Sequence, residues 1–115
     1  MKKILLHLAL SSVLRADEVA LLEIKFADGT TRNAAIEFFA SDAPATVENF
    51  KKLARDGFFK KCAFHRAIAG AIVQTGDPLS KKKSRNAVGT GGPGYTLPAE
   101  IRRRHPKGAV AAARL

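Results

Sequence analysis

Residues 64–77 read FHRAIAGAIVQTGD. Apolar residues fill most of this stretch, yet Arg66 and Gln74 sit inside it. The bend at Gly70 divides it into two short strands, one over Cys62–Ile68 and one over Ile72–Thr75. Alternation puts Phe64, Arg66 and Ile68 on one face and turns His65 to the other. A buried polar side chain costs free energy unless something satisfies it. Arg66 and Gln74 therefore either complete an internal hydrogen-bond network or face a pocket.

Upstream, VALLEIKF at Val19–Phe26 alternates, with Leu22, Ile24 and Phe26 on one face and Glu23 and Lys25 on the other. Asp28-Gly29 predicts a hairpin turn and residues 34–39 the returning strand. Asp42-Ala43-Pro44 opens a helix, because a proline in the first turn forfeits no hydrogen bond. Val47, Phe50, Leu53 and Ala54 recur at helical spacing, with Lys51, Lys52 and Arg55 on the outer face, and Gly57 ends the helix. Phe58 and Phe59 are expected to tuck beneath it.

Downstream, residues 78–88 read as a charged loop, followed by GTGGPGYTLPAE. Glycines at 89, 91, 92 and 94 let the backbone approach another surface closely. They do not form a phosphate loop, since neither a strand-to-helix Gly-x-Gly pattern nor a Walker lysine accompanies them. Residues 109–114 read as the start of a fifth strand.

The 115 residues suffice for one small domain. Cys62 is the single cysteine, which excludes a disulfide framework and a cysteine zinc cluster and suggests a small core residue. Residues 1–77 hold 11 basic and 9 acidic side chains, and residues 78–115 hold nine basic and one acidic. The positive charge concentrates at Lys81-Lys82-Lys83 with Arg85, and at Arg102-Arg103-Arg104 with Lys107. No aromatic interleaves with either run, so a base-stacking platform is not expected, and the runs read as solvated loops with no specific nucleic-acid partner. MKKILLHLALSSVL has the layout of a secretory signal, two lysines and then a short apolar run. The run is too short for stable membrane insertion. Residues 1–16 are thus expected to be a signal peptide, with export to the periplasm or exterior. The alternative is the hydrophobic first element of a cytoplasmic protein.

FHRAIAGAIVQTGDP, then GTGGPGYTLPAE, then HPKGAVAAAR, resemble the cyclophilin family of peptidyl-prolyl isomerases. DAPATVENFKKLARDGFFKKCAFHR fits that family's first helix and the strand after it. The resemblance runs from about Val19 to Leu115. It implies a mainly β fold with one or two helices, a cyclophilin-like antiparallel barrel that is incomplete here, with residues 17–115 a partial domain. It implies an isomerase that assists folding by rotating X-Pro bonds in proline-containing polypeptides, with no cofactor and no metal. By motif position Arg66 is the catalytic cation and Gln74 the group that hydrogen-bonds the substrate backbone. Ala71, Ile72, Ala113 and Arg114 fall on substrate-binding positions.

Two departures from the family stand out. Where its motif has a phenylalanine of the proline pocket, this chain has Ala71, leaving Ile72 to supply apolar wall. The resemblance also ends near the middle of the family domain, before further pocket aromatics and the strands that close the barrel. The alternative function is therefore a non-catalytic remnant or a proline-peptide-binding module. The oligomeric state is not readable from the sequence.

Overall fold

The computed structural model describes residues 18–82, 84 and 86–114, so the leader expected at 1–16 lies outside the described residues. The chain divides after Glu37 into two compact units. Among the described residues the architecture is mainly β, with one α-helix and two separate two-stranded sheets that do not close into a barrel. No helix among them is long and apolar enough to cross a membrane.

The first unit is an antiparallel hairpin of β1 (Val19–Lys25) and β2 (Thr31–Glu37), paired from Val19↔Glu37 to Lys25↔Thr31. The Asp28-Gly29 turn forms as expected. Asp28 Oδ1 accepts from the Thr30 N–H at 2.8 Å and the Thr30 hydroxyl at 2.7 Å, and Gly29 takes φ +85°. The returning strand starts at Thr31 rather than 34 and stops at Glu37 rather than 39, because these Asp28 bonds make the turn tight enough for pairing to resume at once. Ala20, Leu22 and Ile24 share the half-covered face, while Phe26 lies past the strand end under the Arg32 guanidinium.

In the second unit α1 spans Pro44–Arg55 and buries Val47 and Leu53. Phe50 stacks on Phe59 at 5.1 Å between ring centres and meets Phe38 at 5.8 Å, so the expected tuck of Phe59 is observed. Lys51 is not on the outer face. It is half-buried, with its ammonium over the Phe38 ring at 5.1 Å, whereas Ala54 is exposed. The C-terminus is a Schellman motif. The Phe58 N–H donates to the Leu53 carbonyl, the Gly57 N–H to that of Ala54, and Gly57 adopts φ +73°.

The helix start is unusual. Its N-cap residue Ala43 has no side chain able to cap, and Asp42 instead pairs with Arg103 at 2.8 Å. The orphan amides are met from far along the chain, as Glu100 accepts from the Thr46 N–H at 2.7 Å and the Ala45 N–H at 3.2 Å. A negative charge there also suits the helix dipole.

β3 (Arg66–Ile68) and β4 (Ile72–Gln74) form the second sheet, joined by the bend at Gly70 (φ +70°). Both are shorter than the alternation suggested. The Ala63 N–H is taken by Ser80 Oγ at 2.9 Å and the Cys62 N–H by the Phe59 carbonyl at 3.1 Å, so these two residues cannot enter a regular ladder, although the His65 N–H still donates to the Gln74 carbonyl at 3.1 Å. Pro78–Lys81, expected within a loop, form a 3-10 turn capped by Asp77. Residues 109–114 are exposed and pair with no strand among those described, correcting the expected fifth strand. They follow a turn at Gly108, φ +86°, closed by the Ala109 N–H on the Pro106 carbonyl.

Replacing Gly57 by alanine places a Cβ on a left-handed residue and should cost about 1 kcal/mol. Urea unfolding is expected to show an earlier midpoint with an unchanged slope.

Candidate active site

The short hairpin has a register in which Arg66 faces Gln74 and Ile68 faces Ile72. Directly opposed residues point to the same side, with Cβ atoms about 4.5–5.5 Å apart. One face of the sheet therefore carries a guanidinium, a carboxamide and two isoleucines, the latter 46% and 45% exposed. Ala67 and Val73 are on the reverse. Arg66 is exposed and, among the described residues, pairs with no carboxylate, while Gln74 is half-buried. This arrangement offers an extended peptide a cation, an amide donor and acceptor, and apolar wall on one surface.

The other expected binding positions are less closely gathered. Ala71 is exposed in the turn, where its N–H donates to the Ile68 carbonyl at 3.1 Å, and Ile72 opens β4 beside it. Ala113 and Arg114 are exposed in the irregular C-terminal segment. No hydrogen bond among the described residues ties them to the hairpin. His65 turns away from Arg66, as its alternation requires. Its ring lies close to Gly89, and its buried Nδ1 has no partner among the described residues.

Three residues past β4 stands a buried carboxylate to which the sequence alone assigns no role. Asp77 is 4% exposed. Its Oδ1 accepts from the Leu79 N–H at 2.7 Å and its Oδ2 from the Gly89 N–H. The signal was present in the sequence, since Asp77-Pro78 is a cap followed by a first-turn proline. The glycine loop approaches this carboxylate. A Cβ on Gly91 would fall on Asp77 Oδ1 and within 2.9 Å of Leu79 Cγ. Burial pushes the Asp77 carboxyl up. The amides of Leu79, Gly89 and Gly91, with the nearby His65, outweigh it and hold the group below its ordinary 3.8. The same loop is tied to α1 by the Tyr95 hydroxyl, which donates to Asn49 Oδ1.

Among the described residues no group of three or more histidine, cysteine, aspartate or glutamate side chains is placed to hold a metal ion. The hairpin's chemistry is that of side-chain charge and hydrogen bonding.

A family model described as cyclophilin type peptidyl-prolyl cis-trans isomerase/CLD matches residues 22–115. A peptidyl-prolyl cis-trans isomerase of Synechococcus elongatus is 48% identical over 73 residues, 64% of this chain and 43% of that protein. One from Helicobacter pylori is 39% identical over 84 residues, 70% of this chain and 47% of that protein. Peptidyl-prolyl cis-trans isomerase B of Bacillus subtilis is 45% identical over 64 residues, 56% of this chain and 40% of that protein. The chain thus spans less than half the length of these relatives. No solved structure matches.

Because the folded state lowers the Asp77 pKa, ionised Asp77 stabilises the fold above its ordinary 3.8, and that contribution is lost as the pH falls through the lower folded value. Asp77→Asn should lower the melting temperature at neutral pH and shrink the fall in stability on acidification. Gly91→Ala should cost about 1–3 kcal/mol by overpacking. Thermal unfolding across a pH series reads both.

Proposed function

This chain belongs to the cyclophilin-type peptidyl-prolyl cis-trans isomerase family, and on that premise we propose that it catalyses rotation about X-Pro bonds in polypeptide substrates, with Arg66 and Gln74 as the acting side chains. The single observation carrying this reading is the register that sets an exposed Arg66, with no carboxylate partner among the described residues, opposite Gln74.

The X-Pro amide resists rotation by roughly 18–20 kcal/mol, because the nitrogen lone pair is conjugated with the carbonyl. A guanidinium donating to the prolyl nitrogen localises that lone pair and gives the C–N bond more single-bond character. This stabilisation is greatest in the twisted state, where the lone pair is pyramidal and available, so it accelerates the step rather than merely tightening binding. Gln74 holds the substrate backbone so that only the prolyl side turns. Ile72 and Ile68 supply apolar contact for the ring. Neither covalent chemistry nor a cofactor is required.

The two open hairpins and α1 fit a part of the closed antiparallel barrel implied by the family resemblance, and the basic-then-apolar leader supports export. Ala71 favours a second reading, binding without turnover, because a methyl group in an exposed turn offers a proline ring little wall.

The deciding measurement is NMR exchange or protease-coupled isomerisation of an X-Pro peptide. Arg66→Ala should reduce the rate on the order of 10²–10³-fold, as loss of one preorganised electrostatic donor does elsewhere. Arg66→Lys should recover only part, lacking the planar fork. Equal rates for wild type and Arg66→Ala would remove the arginine from the mechanism. Retained peptide affinity with no acceleration would favour the second reading.

A further inference from the structure

The two basic runs of the sequence meet different fates. In the second, Arg103 pairs with Asp42 at 2.8 Å and lies 3.7 Å over the Phe39 ring, and Arg102 reaches the Ser41 carbonyl within the field of Glu100. Two of that run's four cations are thus spent on internal contacts. In the first, Lys81 Nζ donates to the Phe58 carbonyl at 2.6 Å, and Ser80 Oγ accepts the Ala63 N–H at 2.9 Å. These bonds fix the 3-10 turn against the segment that leaves α1. The turn that carries Lys81 and Lys82 is thus held at Phe58 and Ala63, the two ends of the segment that carries Lys60 and Lys61. All four are exposed, and none has a carboxylate partner among the described residues.

The imbalance extends over the whole surrounding segment. Residues 57–99 contain seven lysines and arginines and one acid, Asp77. That acid is buried with both oxygens occupied by backbone amides, so it offers the surface little compensation. Lys61 holds φ +65°, a left-handed conformation uncommon for a side chain of its size. Lys61 lies five positions before Arg66, at most about 18 Å of backbone. An extended peptide of six or so residues bridges that span.

We propose that this lysine face selects the substrates of the site, favouring polypeptides that carry aspartate or glutamate a few residues from the proline. The inference rests on the isomerase reading for its site and extends it to substrate class. A polypeptide suits the face better than a nucleic acid because the two rings that adjoin the lysines in the chain, Phe58 and Phe59, are not open to stack a base, and Phe64, 39% exposed, is left as a single ring rather than a platform. Phe58 is covered by the Lys81 ammonium, 5.6 Å from its centre, and Phe59 is stacked on Phe50.

The test measures binding of three labelled X-Pro peptides to the full chain, flanked by glutamate, alanine or lysine, at low and high salt, with isomerisation followed on the same peptides. The glutamate peptide is expected to bind on the order of tenfold tighter than the alanine peptide at low salt, since a few exposed charge pairs each contribute modestly. The advantage should fall as salt screens it. The combined Lys60→Gln, Lys61→Gln and Lys82→Gln variant should lose most of that ratio. The variant with arginine at all three positions should keep it, which separates charge from misfolding. Equal affinity for the glutamate and alanine peptides would overturn the proposal. So would displacement of the glutamate peptide by a lower concentration of single-stranded oligothymidine. A clear glutamate preference with no acceleration of any peptide would sink the isomerase reading and leave the selective face standing.

Discussion

A single carboxylate organises the second unit. Asp77 accepts hydrogen bonds from the 3-10 turn on one side and from the glycine loop on the other. It also lies in the field of His65, just before Arg66. An isolated buried aspartate is costly, and one ringed by amides is a strong organiser, because moving any donor leaves a desolvated charge partly unmet. The absence of a side chain on Gly91 is what lets the loop come close enough to take part. The hairpin that carries Arg66 and Gln74 is only three residues per strand. Such a hairpin has little stability of its own, and the Asp77 network begins three residues past its end.

A second long-range contact does for the helix what Asp77 does for the 3-10 turn. α1 begins without a local cap, and Glu100 closes both Ala45 and Thr46 amides. With Arg103 on Asp42 and over Phe39, residues 100–103 are clasped to the start of the helix. The apolar interior is small. Val47 and Leu53 are the hydrophobic residues that become buried among those described. In a structure with so little core, polar contacts of this kind carry an unusual share of the order.

Much of this was legible one residue at a time. Gly57 ends α1, Asp28-Gly29 turns the first hairpin, and Gly70 turns the second because these positions require particular backbone angles, a local property. Alternation likewise put Arg66 on one face with Ile68, whereas its place opposite Gln74 is set by the register of the hairpin. What was not legible depends on partners distant in sequence. The third strand is short because Ser80 captures the Ala63 amide, and nothing in residues 62–68 announces Ser80. Glu100 lies 54 residues from Thr46, so periodicity around the helix cannot disclose it. Lys51 was assigned to the outer face by charge, yet its stem and ammonium lie along Phe38, an aromatic outside the helix. The cap signal of Asp77-Pro78 is local, but its second oxygen is met by the Gly89 amide twelve residues on, which nothing near Asp77 discloses.

The hydroxyl of Tyr95 on Asn49 has a practical consequence. The chain has no tryptophan and a single tyrosine. Excited to the red of the phenylalanine band, its near-ultraviolet emission therefore comes from one phenol, placed where the glycine loop docks on α1. Loosening of that loop would be visible in solution as a change in one chromophore, with no label attached.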